Sequence, residues 1–448
     1  MPQCQGVLSL SARGFLRFDV EDFLTPESDD ALLAMMDSMR RVGLPGSYGL
    51  VGKKVVALEQ RGREEILARL REEPAIGFHS TSHSEHPTLA EALSPLDYAA
   101  ARRHFVEREG VGVEMVRQRV KPPLYFTQPG GNWVPEAVES LPELGMDVFF
   151  TDSFNSYVVD LPEPYWYGEV LHLSFPVVNP RPFGLGLPQN RDDAVRLIEE
   201  HVARDADGMF MVMLHPTELV TTAFWDAVNF ARGATRKPLS PAPLRSPEEQ
   251  QRALASFEEY LYALSRLPVD WWDVAYLKGR VLPRGPVTVS RRELAARLVQ
   301  EGWGPLRVTD GTLSAAEALY AWAKLAMTDG EEVSVPYVGA PEVWHGEPEE
   351  PPHGPWPSRE RLRAFAGAVV QSVERTGRLP REPVAGLTFA VGMAGLVQAW
   401  LPWRFLTYIK EPEQLHWDWP IFPEEFRPWR LWQDARRLAW TLKPARVR

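Results

Sequence analysis

Short apolar runs at 15–18, 75–78, 124–127, 148–151 and 209–214 alternate with longer, charged stretches over the first two-thirds of the chain. Runs of that length bounded by turn residues predict buried strands. Between them, 30–42, 61–72, 94–109, 192–203 and 248–266 combine helical spacing of apolar positions with helix-favouring residues, and predict helices. Strand-helix alternation of this kind predicts an α/β architecture with a parallel sheet or barrel, whose functional residues stand at the carboxyl ends of the strands. The pattern breaks at Leu282-Pro-Arg-Gly-Pro286, where two prolines and a glycine disfavour continuous secondary structure. Beyond it the spacing predicts helices at 290–301, 314–327, 358–377 and 391–400, with a connector rich in proline, glutamate and glycine over 337–357. The expected organisation is a large α/β domain over 1–282 and a smaller, mostly α-helical C-terminal domain over 286–448.

A chain of 448 residues exceeds one ordinary core, which agrees with that division. Hydrophobic residues make up 44% and charged residues 24%, the balance of a soluble globular protein. The net charge of −11 repels phosphate backbones and anionic lipid, so neither nucleic acid nor a membrane is an expected partner, and a neutral or cationic ligand fits better. The single cysteine, Cys4, leaves no internal disulfide and no cysteine metal cluster to consider. The first residues lack the basic start and apolar run of a secretory signal, and no segment reaches the roughly 18 apolar residues of a spanning helix, so a cytoplasmic location is expected. Of 16 tryptophans, 11 follow Pro286. Their rings suit either a glycan-stacking surface or the core of a small domain.

Three carboxylates, Asp19, Glu21 and Asp22, crowd the end of the first predicted strand. Alone they read first as an acidic loop capping the next helix; the chemical reading is one carboxylate on a cation and a neighbour as general base. His79 and His83 follow the second of the runs above at a spacing of four, which puts both imidazoles on one face of a helical turn and suits chelation of one divalent ion. His86 lies beyond them and fits a supporting role or none. Tyr125, Gly130, Gly131 and Trp133 belong to an apolar strand and a Pro-Gly-Gly turn that lets backbone approach a ligand. Asp152 ends the next strand, and His215 directly follows the strand 209–214. Taken singly, each of these has an ordinary structural explanation.

Their order along the chain carries more. Acids, His-x-x-x-His, Pro-Gly-Gly, Asp and a strand-end Leu-His resemble, in that succession, the motifs of the NodB-homology polysaccharide deacetylase family over about residues 15–276, and 44–52 is similar to that family's second strand. The resemblance implies a distorted (β/α) barrel holding one divalent metal ion, commonly zinc. It implies Asp19 as catalytic base, His215 as catalytic acid, His79 and His83 as metal ligands, and Glu21 as the carboxylate ligand with Asp22 as the alternate. Tyr125, Gly130, Gly131, Trp133 and Asp152 are then expected on the substrate side. One position departs: where the family places an arginine that orients and charges the base, this chain has Thr127. A different pKa for Asp19 is expected from that loss.

The implied activity is hydrolytic removal of an acetyl group from an N-acetylated sugar or sugar conjugate. Two other readings stand beside it: hydrolysis of another amide or C–N bond, with a small amide as substrate, and a non-catalytic carbohydrate-binding relative. Thr376-Gly-Arg-Leu-Pro380 in the tail is weakly similar to helical cell-wall-binding repeats.

Overall fold

The two faces of the first strand, β1 (Ala12–Val20), have different destinations. Leu16, Phe18 and Val20 join the outer core beneath the helices, whereas Phe15 belongs to a separate inner cluster with Tyr125, Phe150, Phe175 and Met211. Successive side chains of a strand point to opposite faces, so Arg17 and Asp19 share the inner face with Phe15. The computed structural model describes residues 11–130, 132, 134–152, 156–159, 161, 163–179, 188–343, 356–382, 384–411, 414 and 428–448.

Along the chain follow β2 (Ser47–Leu50), β3 (Ala75–Phe78), β4 (Tyr125–Phe126), β5 (Val148–Asp152), β6 (Tyr165–Tyr167), β7 (Val170–Phe175), β8 (Val177–Asn179), β9 (Met209–Leu214) and β10 (Val269–Trp272). β1, β2, β3, β4, β5 and β7 are parallel neighbours in that order. Pro176 then separates β7 from β8, and β8 pairs parallel with β9, which pairs with β1. Proline lacks the N–H needed to continue a ladder, and here the strand turns from one partner to another. The Pro176 carbonyl accepts from Met211 N–H at 3.0 Å. One bent strand thus bridges β5 and β9, and the sheet returns to β1 as a distorted parallel barrel. β10 adds to the first half of β1, and β6 lies antiparallel on β7.

The expected strands are all present, with 124–127 shortened to Tyr125–Phe126. Two helical expectations change. The helix Gly52–Gln60 precedes Glu64–Glu72, and the helix expected over 94–109 runs as Tyr98–Arg119. Gly110 and Gly112 are unfavourable in an isolated helix, but packing needs the second of them: a Cβ on Gly112 would lie 2.4 Å from Thr81 Oγ1 and 2.8 Å from the Phe78 ring. That close approach seats the 79–83 loop on the helix.

After Pro286 come β11 (Val287–Ser290), β12 (Leu306–Val308), β13 (Gly311–Leu313) and β14 (Glu332–Val335), with β11 pairing β14 and β12 pairing β13. Among the described residues five α-helices accompany them: Arg291–Glu301, Ala315–Thr328, Arg359–Thr376, Phe389–Val397 and Pro428–Leu438. The tail ends in β15 (Lys443–Pro444), which pairs with β6 and so joins the main sheet. One buried cluster runs from Leu16 through Tyr167 to Trp440, so the two expected parts share a core. Ion pairs Arg430–Glu136, Arg437–Glu139 and Lys443–Glu317 sit at or near this junction, and Lys443 and Glu317 are both buried. Trp303 and Trp440 are buried as well; the Trp440 ring packs 4.7 Å from Phe405 and 5.2 Å from Trp403, a core role rather than a surface one. No described helix is long and apolar enough to cross a membrane.

Candidate active site

At the carboxyl end of the barrel, the side chains that follow β1, β3 and β9 converge on one cavity of about 180 Å³. Its walls include Arg17, Asp19, Glu21, His79, His83, Asp152, His215, Glu218 and Asp226. Asp19 and Arg17 reach it from the inner face of β1. Gly49 on β2 leaves it open, because a Cβ there would meet Thr127 Cγ2 at 2.6 Å and stand 3.5 Å from Asp19 Oδ1.

Arg17 is the residue that the sequence pattern did not single out. Its Nε and Nη2 donate to Asp19 Oδ1 and Oδ2 at 2.8 and 2.7 Å, a bidentate pair with both partners buried. Burial opposes the charge on Asp19, but Arg17, helped by His79 and His215, holds its carboxyl below the ordinary carboxylate value. Although Thr127 stands where the resemblance implies an arginine, a guanidinium from β1 charges and orients the Asp19 carboxylate. The alternating parity of the strand is the signal that could have found it.

His79 Nδ1 lies 3.0 Å from the Thr127 carbonyl oxygen. A carbonyl only accepts, so Nδ1 carries a proton and Nε2 is the atom turned to the cavity. Ser84 donates to Asp226 Oδ1 at 2.6 Å, so its oxygen is the acceptor for His83 Nδ1, also at 2.6 Å, and His83 Nε2 faces inward too. Glu21 Oε2 stands 3.5 Å from His79 Nε2 and 3.0 Å from His83 Nε2. One ligand atom from each of Glu21, His79 and His83 lies within 4.8 Å of the others. His79 Nε2 and Glu21 Oε1 are buried without a hydrogen-bond partner, a costly state that a shared divalent cation would relieve. The donor set fits a metal.

The loop is not the helical turn expected between the two histidines. Ser80 and His83 take φ of 65° and 49°, in the left-handed region that non-glycine residues rarely occupy, and Ser80 Oγ accepts from His83 N–H at 2.9 Å. Thr81 N–H is held by buried Glu109 at 2.8 Å. Within this loop the strained residues are the ones that aim the imidazoles. Burial works against protonation of His83, yet Asp226 and Glu21 push its pKa up to about 9.

Asp22, the alternate ligand, stands outside the cluster. Its Oδ1 accepts from the Leu24 and Thr25 N–H groups at 3.0 Å each, and its Oδ2 from Thr217 Oγ1 at 2.8 Å. It ties the end of β1 to the segment after His215. His215 places Nε2 3.8 Å from Asp19 Oδ2 and Nδ1 3.0 Å from Glu218 Oε1. Burial again opposes protonation, and Glu21 and Glu218 overcome it, raising His215 to about 9. Glu218 and Asp226 were not anticipated; after β9 they lie in the short 3-10 helix Pro216–Leu219 and the short helix Trp225–Asn229, neither of which carries a distinguishing sequence pattern.

Of the residues expected on the substrate side, Gly130 and Asp152 line the cavity, and Asp152 acts electrostatically on Arg17. Tyr125 does not line it: its ring lies in the barrel interior against Gly77 and Phe150. Gly131 and Trp133 lie outside the described residues. His86 pairs with Glu91 at 2.6 Å and stays away from the cation donors.

No family model matches the chain, and no curated protein does. Solved structures similar to it include the peptidoglycan deacetylase PdaC from Bacillus subtilis, at 14% identity over 60% of this chain and 90% of that one, with a TM-score of 0.31. A mutant of a CE4 family pseudoenzyme with restored enzymatic activity is 12% identical over 59% of this chain and 67% of its own, TM-score 0.32. CE4 deacetylases are thus among its structural neighbours. The 4-alpha-glucanotransferase from Thermococcus litoralis is another, 13% identical over 62% of this chain and 41% of that chain, TM-score 0.42. With each TM-score below 0.5, these likenesses say nothing about chemistry, which rests on the donor set.

Proposed function

We propose that this protein is a metal-dependent amide hydrolase that removes the acetyl group from an N-acetylated sugar or sugar conjugate. The observation that carries the reading is an ionised base, Asp19, clamped by Arg17 beside a Glu21–His79–His83 donor set, with His215 across the cavity. Two imidazoles and a carboxylate favour zinc over harder cations. Bound there, the ion would polarise a carbonyl oxygen as a Lewis acid.

The chain's own residues carry the proton transfers. Asp19, kept charged by Arg17, accepts a proton from the attacking water. His215, kept protonated by Glu218, gives a proton to the departing nitrogen, because an amide nitrogen leaves poorly as an anion. The C–N bond breaks, a C–O bond to the water oxygen forms, and acetate and an amine result. Asp22 and Glu109 would position the two loops that supply the donors.

Metal analysis of the purified protein, with acetate release measured on N-acetylglucosamine oligomers and on simple amides, tests this. One stoichiometric divalent ion and acetate release are expected. A His79→Ala variant that keeps both the metal and the hydrolysis would overturn the assignment.

A further inference from the structure

The chemical groups are closely enclosed. Asp19 is 3% exposed, His79 1%, His83 3% and His215 8%. The cavity they share, about 180 Å³, is smaller than the roughly 300–1,000 Å³ of pockets that take drug-sized ligands. A metal ion and an acyl head group would occupy much of it. Chemistry on an interior unit of a long glycan needs the opposite: an open trough in which flanking rings lie on both sides of the reacting group.

Phe224 and Asp226 build the wall that does the enclosing. The Phe224 ring meets the His215 ring edge-on at 4.7 Å between centroids, and Asp226 reaches His83 through Ser84. The wall is fastened. Trp225, between these two residues, is fully buried and packs edge-on against Phe23 at 5.3 Å. Asn229 exchanges two hydrogen bonds with the backbone of Ser240, at 3.0 and 2.8 Å, and His86 Nε2 lies 2.7 Å from the Thr235 carbonyl. A wall held by the buried side chains of Trp225 and Asn229 resists displacement, so its shape sets the size of what enters.

We propose that the substrate is a small N-acylated amine, of single-sugar size or less, that enters acyl group first, and that Phe224 is the residue that sets this limit. The inference rests on the hydrolase reading and narrows it from glycans in general to free small molecules.

The test uses the zinc-loaded full chain and three probes: N-acetylethanolamine, N-acetylglucosamine and the N-acetylglucosamine tetramer. The expected result is a kcat/KM per acetyl group at least about 10-fold higher for the better of the two small probes than for the tetramer. Phe224→Ala is expected to bring that ratio to within about 3-fold by raising turnover of the tetramer. Phe224→Leu, a milder change, is run beside it with zinc content and circular dichroism as fold controls, and is expected to shift the ratio the same way by less. Equal or better turnover of the tetramer by the unaltered protein overturns the size limit while leaving the hydrolase reading intact. A ratio unmoved in folded, zinc-bearing variants overturns the role of Phe224. Failure to release acetate from any probe, with zinc bound, removes the hydrolase reading itself.

Discussion

Arg17 and Asp19 lie two residues apart on one strand, and the guanidinium closes on the carboxylate through two hydrogen bonds at 2.8 and 2.7 Å inside the barrel. A strand turns every second side chain to the same face, so the pair is built by local geometry and then buried by the barrel. Desolvation offsets much of the attraction within a buried pair, but loss of one partner leaves the other as an uncompensated buried charge.

Replacing Arg17 with Met is expected to reduce kcat/KM by about 100-fold or more. Arg17 lowers the Asp19 pKa, so its removal raises it, and the acid limb of the pH–rate profile moves to higher pH. An unchanged acid limb in a folded, metal-bearing variant would show that Asp19 is not the titrating base.

Glu21 and Asp22 are expected to separate cleanly. Glu21→Ala removes a cation donor, and its metal affinity should fall by about 10-fold or more, read by competition with a chelating dye. Asp22→Ala removes two hydrogen bonds within the turn after β1 and one that ties this turn to Thr217, and should cost about 1–3 kcal/mol of stability in denaturant unfolding while one metal ion stays bound. The reverse pattern would move the ligand role to Asp22.

Glu218→Gln tests the acid. Glu218 helps hold the His215 pKa near 9, so its neutralisation lowers that pKa and the protonated form is lost at lower pH. The basic limb of the pH–rate profile should therefore move down, by about one pH unit. A basic limb that stays in place would assign it to a group other than His215.

In the tail, Lys443 and Glu317 form a buried pair at 2.8 Å beside β15. Glu317 also accepts from Ser314 N–H at 2.9 Å, capping the helix Ala315–Thr328. Lys443→Met strands that carboxylate and should cost about 3–5 kcal/mol, read as a fall in the urea midpoint. Because β15 pairs with β6, a single unfolding transition covering barrel and tail is expected, and two separated transitions would show that the parts unfold independently.

Five of the strands, at 15–18, 75–78, 124–127, 148–151 and 209–214, and the succession of Asp19, His79, His83 and His215 were legible in the sequence, because apolar runs and strand-end polar residues are local signals; β6, β7, β8, β10 and the tail strands were not. Arg17 was equally available, as an inner-face residue of the same strand, but the arginine was read as lost at Thr127, whereas a guanidinium stands at a different point on the barrel wall. The helix Tyr98–Arg119 was cut short by its glycines, whose purpose appears only where the 79–83 loop rests on Gly112.

From the chain alone came the residue types that can do chemistry and the strand ends where they stand, since side-chain parity and hydrophobic period are properties of a few neighbouring residues. Tertiary structure decided which of them meet: that Glu21 and not Asp22 faces the histidines, that Glu218 and Asp226 stand behind His215 and His83, and that β15 of the tail pairs with β6 at the edge of the main sheet. Those choices depend on the pairing of β1 with β9, strands more than a hundred residues apart in the chain that the sheet brings within hydrogen-bonding distance. A contact between groups so distant in the chain leaves no periodic trace in the sequence near either one.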